Sequence, residues 1–436
     1  MYGYENGHRE EEGVLSTTAS RQERFQQLMT RWETLDWLES RIRIPRCSSY
    51  ELAGGIYALS DTETLTCVEL PSRARQTPAR TWRHVNFEFP VSDFTFDPIQ
   101  DLLVILELKE LDGFDYEGEG QPPFKPILHL RTLSRNARHP QAQNPILFPD
   151  CHAFHGFVHL RIMGNSLGIL CQSADDLPTW LTIWNWCTSE LLSNMELATN
   201  IDSFLFMGPM TVLLPRRRGE SEAISVFEIS DKDTPAREVA SVLLPPCRLG
   251  FAFTLNLSSD PPLDQIPPGR VPFYLSDNRV IRIECLLTPG HPTEGIVVDF
   301  FDLLVPMSMF QRLKRCNPYG PPIVLPWIHW GPEHTRLLST PHNDFECFVH
   351  GSRYVVLGDA HRHSPTSKNG SDVRFVDRSE HSACRFSTTL PYRITRRKLG
   401  SPIRGHNEGA MIDDEHVLLV DEVDGEDDAE LVILTM

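Results

Sequence analysis

The chain has 436 residues, with 41 basic and 59 acidic side chains and a formal net charge of -18. That length allows two to four domains, or one large repeat domain with a short appendage, and a sizeable core in either case. The acidic balance argues against nucleic acid and against an anionic membrane as partners, because binding a polyanion relies on Lys and Arg to neutralise its phosphates.

Residues 1–19 are polar and aperiodic, and a disordered N-terminus is expected there. Ser20-Arg21-Gln22-Glu23 has capping-box spacing, and Phe25, Leu28, Met29, Trp32 and Leu35 follow at helical intervals. An amphipathic helix over 20–40 is predicted, its apolar stripe needing something to pack against. From Arg41 onward the helical period gives way to short β-rich runs broken by Pro, Gly, Asp and Asn, and the 34 prolines suit a loop-rich all-β chain.

Those runs come in pairs. In chain order they are 56–59 with 65–70, 102–106 with 127–131, 167–170 with 181–186, 212–214 with 224–229, 280–283 with 296–300, 354–357 with 373–376, and 417–420 with 431–434. The first members are 46, 65, 45, 68, 74 and 63 residues apart, so the shortest steps match a four-stranded propeller blade of about 40 to 50 residues. The longer steps leave room for loop insertions. The expectation is an all-β fold, a β-propeller of about seven four-stranded blades over 41–436, preceded by one amphipathic helix. Six or eight blades and a pair of β-sandwiches are the competing arrangements. The chain ends just after its seventh pair, while Arg41-Ile42-Arg43-Ile44 stands unpaired before the first. That extra strand is placed to complete the last blade and remove an exposed sheet edge.

Several ordered pieces resemble the large F-box protein family of mushroom-forming (basidiomycete) fungi, in the region C-terminal to the F-box. They are Leu15-Ser16-Thr17 through Arg21-Gln22-Glu23-Arg24 to Trp32-Glu33-Thr34-Leu35-Asp36-Trp37, then Tyr50-Glu51-Leu52-Ala53-Gly54-Gly55-Ile56-Tyr57, Val68-Glu69-Leu70-Pro71-Ser72-Arg73 and Asp93-Phe94-Thr95-Phe96-Asp97-Pro98-Ile99-Gln100-Asp101-Leu102-Leu103. Leu128-His129-Leu130-Arg131-Thr132-Leu133 and Ile183-Trp184-Asn185-Trp186 are later echoes. The resemblance implies a substrate-recruiting subunit of a Skp-cullin-F-box ubiquitin ligase, whose partner is the protein to be ubiquitinated. The F-box itself, which would bind the Skp adaptor, belongs upstream of Leu15, where this sequence has fourteen residues. The expected roles are therefore the recruiting half of such a subunit or an orphan binding module without a ligase.

Motifs of chemistry are sparse, and no catalytic residue, cofactor or metal is expected. Gly164-Asn165-Ser166-Leu167-Gly168 matches the G-x-S-x-G pattern of a hydrolase nucleophile elbow, yet strands on both sides make it read as a hairpin turn. A serine hydrolase using Ser166 stays as the alternative from another class. Cys151, His152 and His155, then His361 with His363, and His381 with Cys384, lack a familiar zinc spacing and read as loop residues. The ten cysteines are scattered singly, as suits reduced thiols, and with no apolar run long enough for a bilayer and no secretory leader an intracellular location is expected. Trp184 and Trp186 share one face of a strand and read as core. Two elements are candidate partner-binding sites: the arginine run Arg216-Arg217-Arg218, as a patch for an acidic or phosphorylated segment, and Trp327 with Trp330 in a Pro-rich insertion. The acidic stretch 421–430 is expected to form a solvated loop between the last two strands.

Overall fold

The computed structural model describes residues 18–74, 76–110, 124–149, 157–172, 178–198, 201–230, 235–245, 251–260, 279–289, 299–317, 319–338, 349–355, 388–397, 399, 410–422 and 428–436. Within them the strands form six sheets of four or five strands, antiparallel except for one parallel pair, and one two-stranded hairpin. Blade 1 comprises Ser49–Ala53, Ile56–Ser60, Leu65–Glu69 and Arg80–His84, and blade 2 comprises Asp93–Asp97, Leu102–Glu110, Phe124–Thr132 and Ile146–Leu147. Blade 3 comprises Val158–Met163, Ser166–Cys171, Thr179–Asn185 and Glu190–Leu197, and blade 4 comprises Leu205–Gly208, Thr211–Arg218, Ser221–Glu228 and Arg237–Leu243. Blade 5 comprises Phe251–Ser258, Val280–Pro289, Asp299–Pro306 and Arg336–Leu338. The last blade takes Ala410–Ile412, His416–Glu422 and Asp428–Thr435 from the C-terminus and Leu38–Pro45 from the N-terminus.

The first strands of blades 1 to 4 touch in succession, so the first strand of each is innermost. The core is divided among the seams. Ile56, Ala58 and Cys67 meet Phe94, Phe96 and Ile105 between blades 1 and 2. Leu102, Val104 and Leu128 meet Leu167, Ile169 and Trp184 between blades 2 and 3. Leu170, Leu181 and Ile183 then meet Phe204, Phe206, Val212 and Leu214 between blades 3 and 4. Alternation along each strand explains it, since every strand feeds one seam with its odd positions and the other with its even positions.

This arrangement is a β-propeller, as the paired runs predict. The N-terminal strand closes the ring as expected, with Arg41 opposite Val432 and Ile44 opposite Ala429. Ile44 is buried among Leu418, Leu431 and Ile433, and Arg41 donates to Glu430 at 2.7 Å. Among the described residues six blades stand where about seven were expected. The hairpin of Val349–His350 and Arg353–Tyr354 lies between blade 5 and the last blade, and 356–357 and 373–376 of the expected pair fall outside the described residues.

Several boundaries differ from the sequence reading. The helix spans Thr18–Thr34, not 20–40, so Ser20 lies within its first turn and is not the cap. Leu35 has φ of +52°, which ends the helix, and from Leu38 the backbone is held extended by its ladder to Asp428–Thr435. Tertiary pairing here outweighs local helical pattern. Leu28 and Trp32 are buried against the last blade, so the apolar stripe does find its surface. The third strand of blade 5 is Asp299–Pro306, running past the expected end at 300 because Phe301, Leu303 and Val305 enter the core, while 296–298 lie outside the described residues. The acidic stretch 421–430 is not all loop, since Asp421 and Glu422 pair with Glu430 and Ala429 and extend the final ladder. The expected disorder of residues 1–19 lies almost wholly outside the described residues.

The Pro-rich insertion is where the fold departs furthest from local expectation. After blade 5's third strand the chain forms the helix Met307–Cys316, with Met307, Met309 and Phe310 buried, and then crosses to blade 4. There Ile323–Leu325 pairs in parallel with Arg237–Leu243 as a fifth, outermost strand, Ala240 opposite Ile323 and Val242 opposite Leu325. The Asn317 side chain donates to Val239 O and Pro321 O, and Trp330 Nε1 donates to Leu243 O at 2.8 Å, pinning the insertion across the edge.

Candidate functional site: a groove between blades 3 and 4

The arginine run ends a strand. Arg216, Arg217 and Arg218 face Ala223, Glu222 and Ser221 across the ladder, and the turn beyond them uses Gly219 at φ of +63°. Residues two apart share a strand face, so Arg216 and Arg218 both reach Glu238 Oε2, at 3.1 and 3.2 Å. Arg217, on the other face, stands 4.0 Å from Glu222 with 65% of its side chain exposed. Glu238 also accepts from the Ser225 hydroxyl at 3.2 Å and from that of Ser241. Burial pushes the Glu238 carboxyl up, but the Ser241 hydroxyl and the two guanidiniums outweigh it and hold it below the usual carboxylate range. Burial pushes Glu222 up, with Arg217 opposing. Sequence reading found the arginines but not Glu238, which reaches them because a bulge at Val226/Phe227 offsets the register of its strand.

Of these groups Arg216 and Arg217 line a groove of about 530 Å³ between blades 3 and 4. One wall is the outermost strand of blade 3, Glu190–Leu197, with Leu192, Met195 and Leu197 packed on the seam. The other wall is Leu214, Arg216 and Phe227 of blade 4, with the Arg216 guanidinium 5.8 Å from the Phe227 ring centroid. The groove thus has an apolar floor, with Arg216, Arg217 and Glu196 as its charged lining. A second hollow of about 480 Å³ lies beside the helix Met307–Cys316, lined by Thr211, Glu228, Lys314 and Tyr319. Its lysine is engaged: Lys314 donates to Thr211 Oγ1 and lies 3.2 Å from Glu228.

The tryptophans are not surface anchors together. Trp330 is 1% exposed, in the core between blades 4 and 5, and Trp327 is half-buried against it with ring centroids 5.2 Å apart. The reason is the parallel fifth strand, whose docking carries both indoles onto blade 4. Ile328 and Tyr319, at 75% and 95%, are the most exposed large apolar side chains described in the insertion. A second basic run passed over in the sequence, Arg393 with Arg396 and Arg397, lies on an extended segment beside the N-terminal helix, where Arg397 sits over Trp37 and Arg393 meets Glu33 at 3.5 Å.

Ser166 does not sit on an elbow. Val158–Met163 and Ser166–Cys171 form a hairpin with Met163 opposite Ser166 and Gly164 at φ of +54°. The serine is 3% exposed and donates to Pro209 O at 2.7 Å, while Trp186 Nε1 donates to Gly164 O. Both Trp184 and Trp186 are buried, as expected. Cys151, His152, His155, His361, His363, His381 and Cys384 lie outside the described residues, as does 423–427 of the acidic stretch. Among the described residues no group of three or more His, Cys, Asp or Glu is arranged to hold a metal ion, and no helix is long and apolar enough to cross a membrane.

Two polar clusters, one buried around Arg282 and Asp302 and one reaching the surface at Asp414, brace the hairpin Val349–Tyr354. Arg282 donates to Asp302 and Glu284, each at 2.9 Å, and the Tyr354 hydroxyl donates to Asp302. On the other side His350 Nε2 donates to Asp414 at 2.8 Å, Gly351 N donates to Asp260, and the Arg353 guanidinium stacks over Trp32 at 4.5 Å. His416 contacts Asp413 through Nδ1 and Pro71 O through Nε2. Both contacted groups are acceptors, so both ring nitrogens carry protons; burial opposes that charge, and Asp413 prevails to raise the imidazole's pKa. These are struts between blades and carry no open site.

The chain matches no family model and no curated protein. It is similar to several solved structures at low identity. The polysaccharide lyase Uly1 has 8% identity and a TM-score of 0.40, with 90% of each chain covered. An oligogalacturonate lyase in complex with manganese has 11% identity and a TM-score of 0.34, over 89% of this chain and 76% of that one. Hsv2 of Kluyveromyces lactis has 9% identity and a TM-score of 0.30, over 44% of this chain, and the match spans 61% of Hsv2. Likenesses this remote say nothing of activity, and the propeller assignment rests on the strand order itself.

Proposed function

We propose that this propeller is a non-catalytic, intracellular protein-interaction module that recruits a target protein, in the role its resemblance to the region C-terminal to the F-box of basidiomycete proteins implies. The observation that carries the reading is the groove between blades 3 and 4, where a long outer strand, an apolar floor and Arg216 and Arg217 are presented together. Such a combination suits a protein segment, which offers backbone, apolar and charged groups at once. The placement of Ser166, buried and bonded to a backbone carbonyl, supports a binder over a serine hydrolase. The target is the substrate of ubiquitination where an F-box and its Skp adaptor are joined to the chain, and a simple binding partner otherwise.

The test is cross-linking capture of the tagged chain from its native cells, alone and with the coding sequence upstream of Met1, with esterase and polysaccharide-lyase screens of the purified protein. A shared stoichiometric partner, joined by Skp and cullin in the longer form, is expected. No partner in either form, or turnover in a screen, would sink the reading; a partner without Skp or cullin removes the ligase role alone.

A further inference from the structure

Residues three and four apart on a helix share a face. On Met307–Cys316 such a set is Gln311, Lys314 and Arg315, and all three line the hollow of about 480 Å³. The facing wall is the inner hairpin of blade 4, through Met207, Gly208 and Thr211, with Glu228 opposite Thr211 in the ladder. This is the end of blade 4 away from the arginine run, and the hollow shares no residue with the groove between blades 3 and 4.

Both walls are fixed. Met307, Met309 and Phe310 anchor the helix in the core between blades 4 and 5, and Leu313 packs against it. Asn317, which ends the helix, donates through its backbone N to Lys314 O at 3.2 Å and accepts from Gly320 N at 3.0 Å, which holds the loop carrying Tyr319. A side chain at Gly208 would meet nothing within 4 Å, so the hairpin leaves room for an occupant.

The polar groups of the hollow have unused donors. Lys314 has three protons, of which one goes to Thr211 Oγ1 at 2.5 Å and one toward Glu228 at 3.2 Å, leaving a third. The Gln311 amide, the Arg315 guanidinium and the Tyr319 hydroxyl make no hydrogen bond or ion pair among the described residues. Glu228 is the one carboxylate in the lining, and Arg237 already meets it at 2.8 Å. Arg237 and Lys314 outweigh burial and hold that carboxyl below the usual range. Two cations therefore face one carboxylate that a third cation, Arg237, already pairs. The helix C-terminus adds about half a negative charge, less than this excess.

We propose that the hollow binds a phosphate monoester, its phosphoryl oxygens accepting from Lys314, Arg315 and Gln311 and its organic group lying toward Met207 and Tyr319. A carboxylate has two oxygens and one charge, which a single arginine satisfies; a phosphoryl group has three oxygens and close to two charges, and matches several donors on two cations. The ester is either a small molecule in solution or a phosphorylated side chain of a protein. The proposal stands or falls without the interaction reading above, because it uses none of the groove.

The probe is phenyl phosphate, titrated calorimetrically into the full chain at about pH 7.5, above the second phosphate pKa of about 6, in about 0.15 M salt. Saturable one-to-one binding is expected, about tenfold or more tighter than that of benzoate. Arg315→Glu, at an exposed position with no partner to lose, is expected to weaken it about tenfold or more with thermal unfolding unchanged. Arg312→Glu, exposed on the same helix but outside the hollow, is expected to weaken it less than about threefold, since salt screens a charge beyond contact. A phosphotyrosine pentapeptide, otherwise of glycine, separates the sources: binding as tight as phenyl phosphate points to a phosphorylated protein, and weaker binding to a small ester, with the phosphoryl assignment upheld in both. Absence of saturable binding, benzoate binding as tightly, or equal losses in the two arginine variants, which would mark an adventitious ion only, would overturn the proposal.

Discussion

His350 is expected to make the propeller's stability fall across the mildly alkaline range. It sits on the hairpin between blade 5 and the last blade, and it faces Asp414 and Asp413 of the last blade and Asp260 of blade 5. Burial disfavours its charge, but Asp414 and the other two carboxylates more than reverse this and raise its pKa from 6.5 to about 9. A folded-state pKa above the unfolded value means that the protonated form stabilises the fold. The contribution is fully present below about pH 6.5 and is lost as pH rises through about 9. At about 1.4 kcal/mol per pH unit the interval corresponds to about 3 kcal/mol, a large share of a typical net stability. The assay is denaturant unfolding of wild type and His350→Gln at pH 6 and pH 9.5, roughly the two ends of the window. Gln keeps a donor for Asp414 but cannot titrate. His416 also has a raised pKa and destabilises in the same direction, but it is present in both proteins, so the difference between them isolates His350. A gap of about 3 kcal/mol at pH 6 that nearly closes at pH 9.5 is expected. A gap that does not change with pH would refute the electrostatic account of how the hairpin is held.

Trp330→Ala is expected to cost about 3 to 5 kcal/mol in denaturant unfolding, because it empties a core site and strands the Leu243 carbonyl. A loss under about 0.5 kcal/mol, typical of surface sites, would restore the surface-anchor reading of this residue. Gly168→Ala places a methyl 2.7 Å from Phe204 Cζ and 3.2 Å from Phe206 Cζ, and it should destabilise by about 1 to 3 kcal/mol through overpacking of the seam between blades 3 and 4. An unchanged melting temperature would show that the rings yield freely. Ile44→Ala is expected to cost about 2 to 5 kcal/mol and to loosen the ring closure, read as faster exchange of the amides in Asp428–Thr435. Protection as strong as in wild type would mean that the N-terminal strand is not what holds the last blade.

The sequence by itself determined the class of fold. Alternation with a period of two, interrupted by turn residues, marks inner and outer strands wherever both strand faces pack into seams, and five of the seven expected pairs coincide with paired strands. The unpaired Arg41-Ile42-Arg43-Ile44 likewise announced a closing strand, because a propeller whose last blade lacks its outer strand leaves an open ladder. Ser166 in a hairpin and Trp184 and Trp186 in the core followed from the same local pattern. Tertiary structure decided what depends on distant residues meeting. The insertion's parallel pairing joins Ala240 to Ile323 across more than eighty positions, and no local periodicity encodes that partner. It is what buries Trp330 and covers the edge of blade 4. It also leaves blade 4 wider than blade 3, and the bulge at Val226/Phe227 is what brings Glu238 to Arg216 and Arg218. The helix end at Leu35 has the same origin: residues 38–40 carry a helical pattern, but the ladder to Asp428–Thr435 satisfies their backbone while closing the ring, and the gain of the long-range ladder exceeds that of one more helical turn.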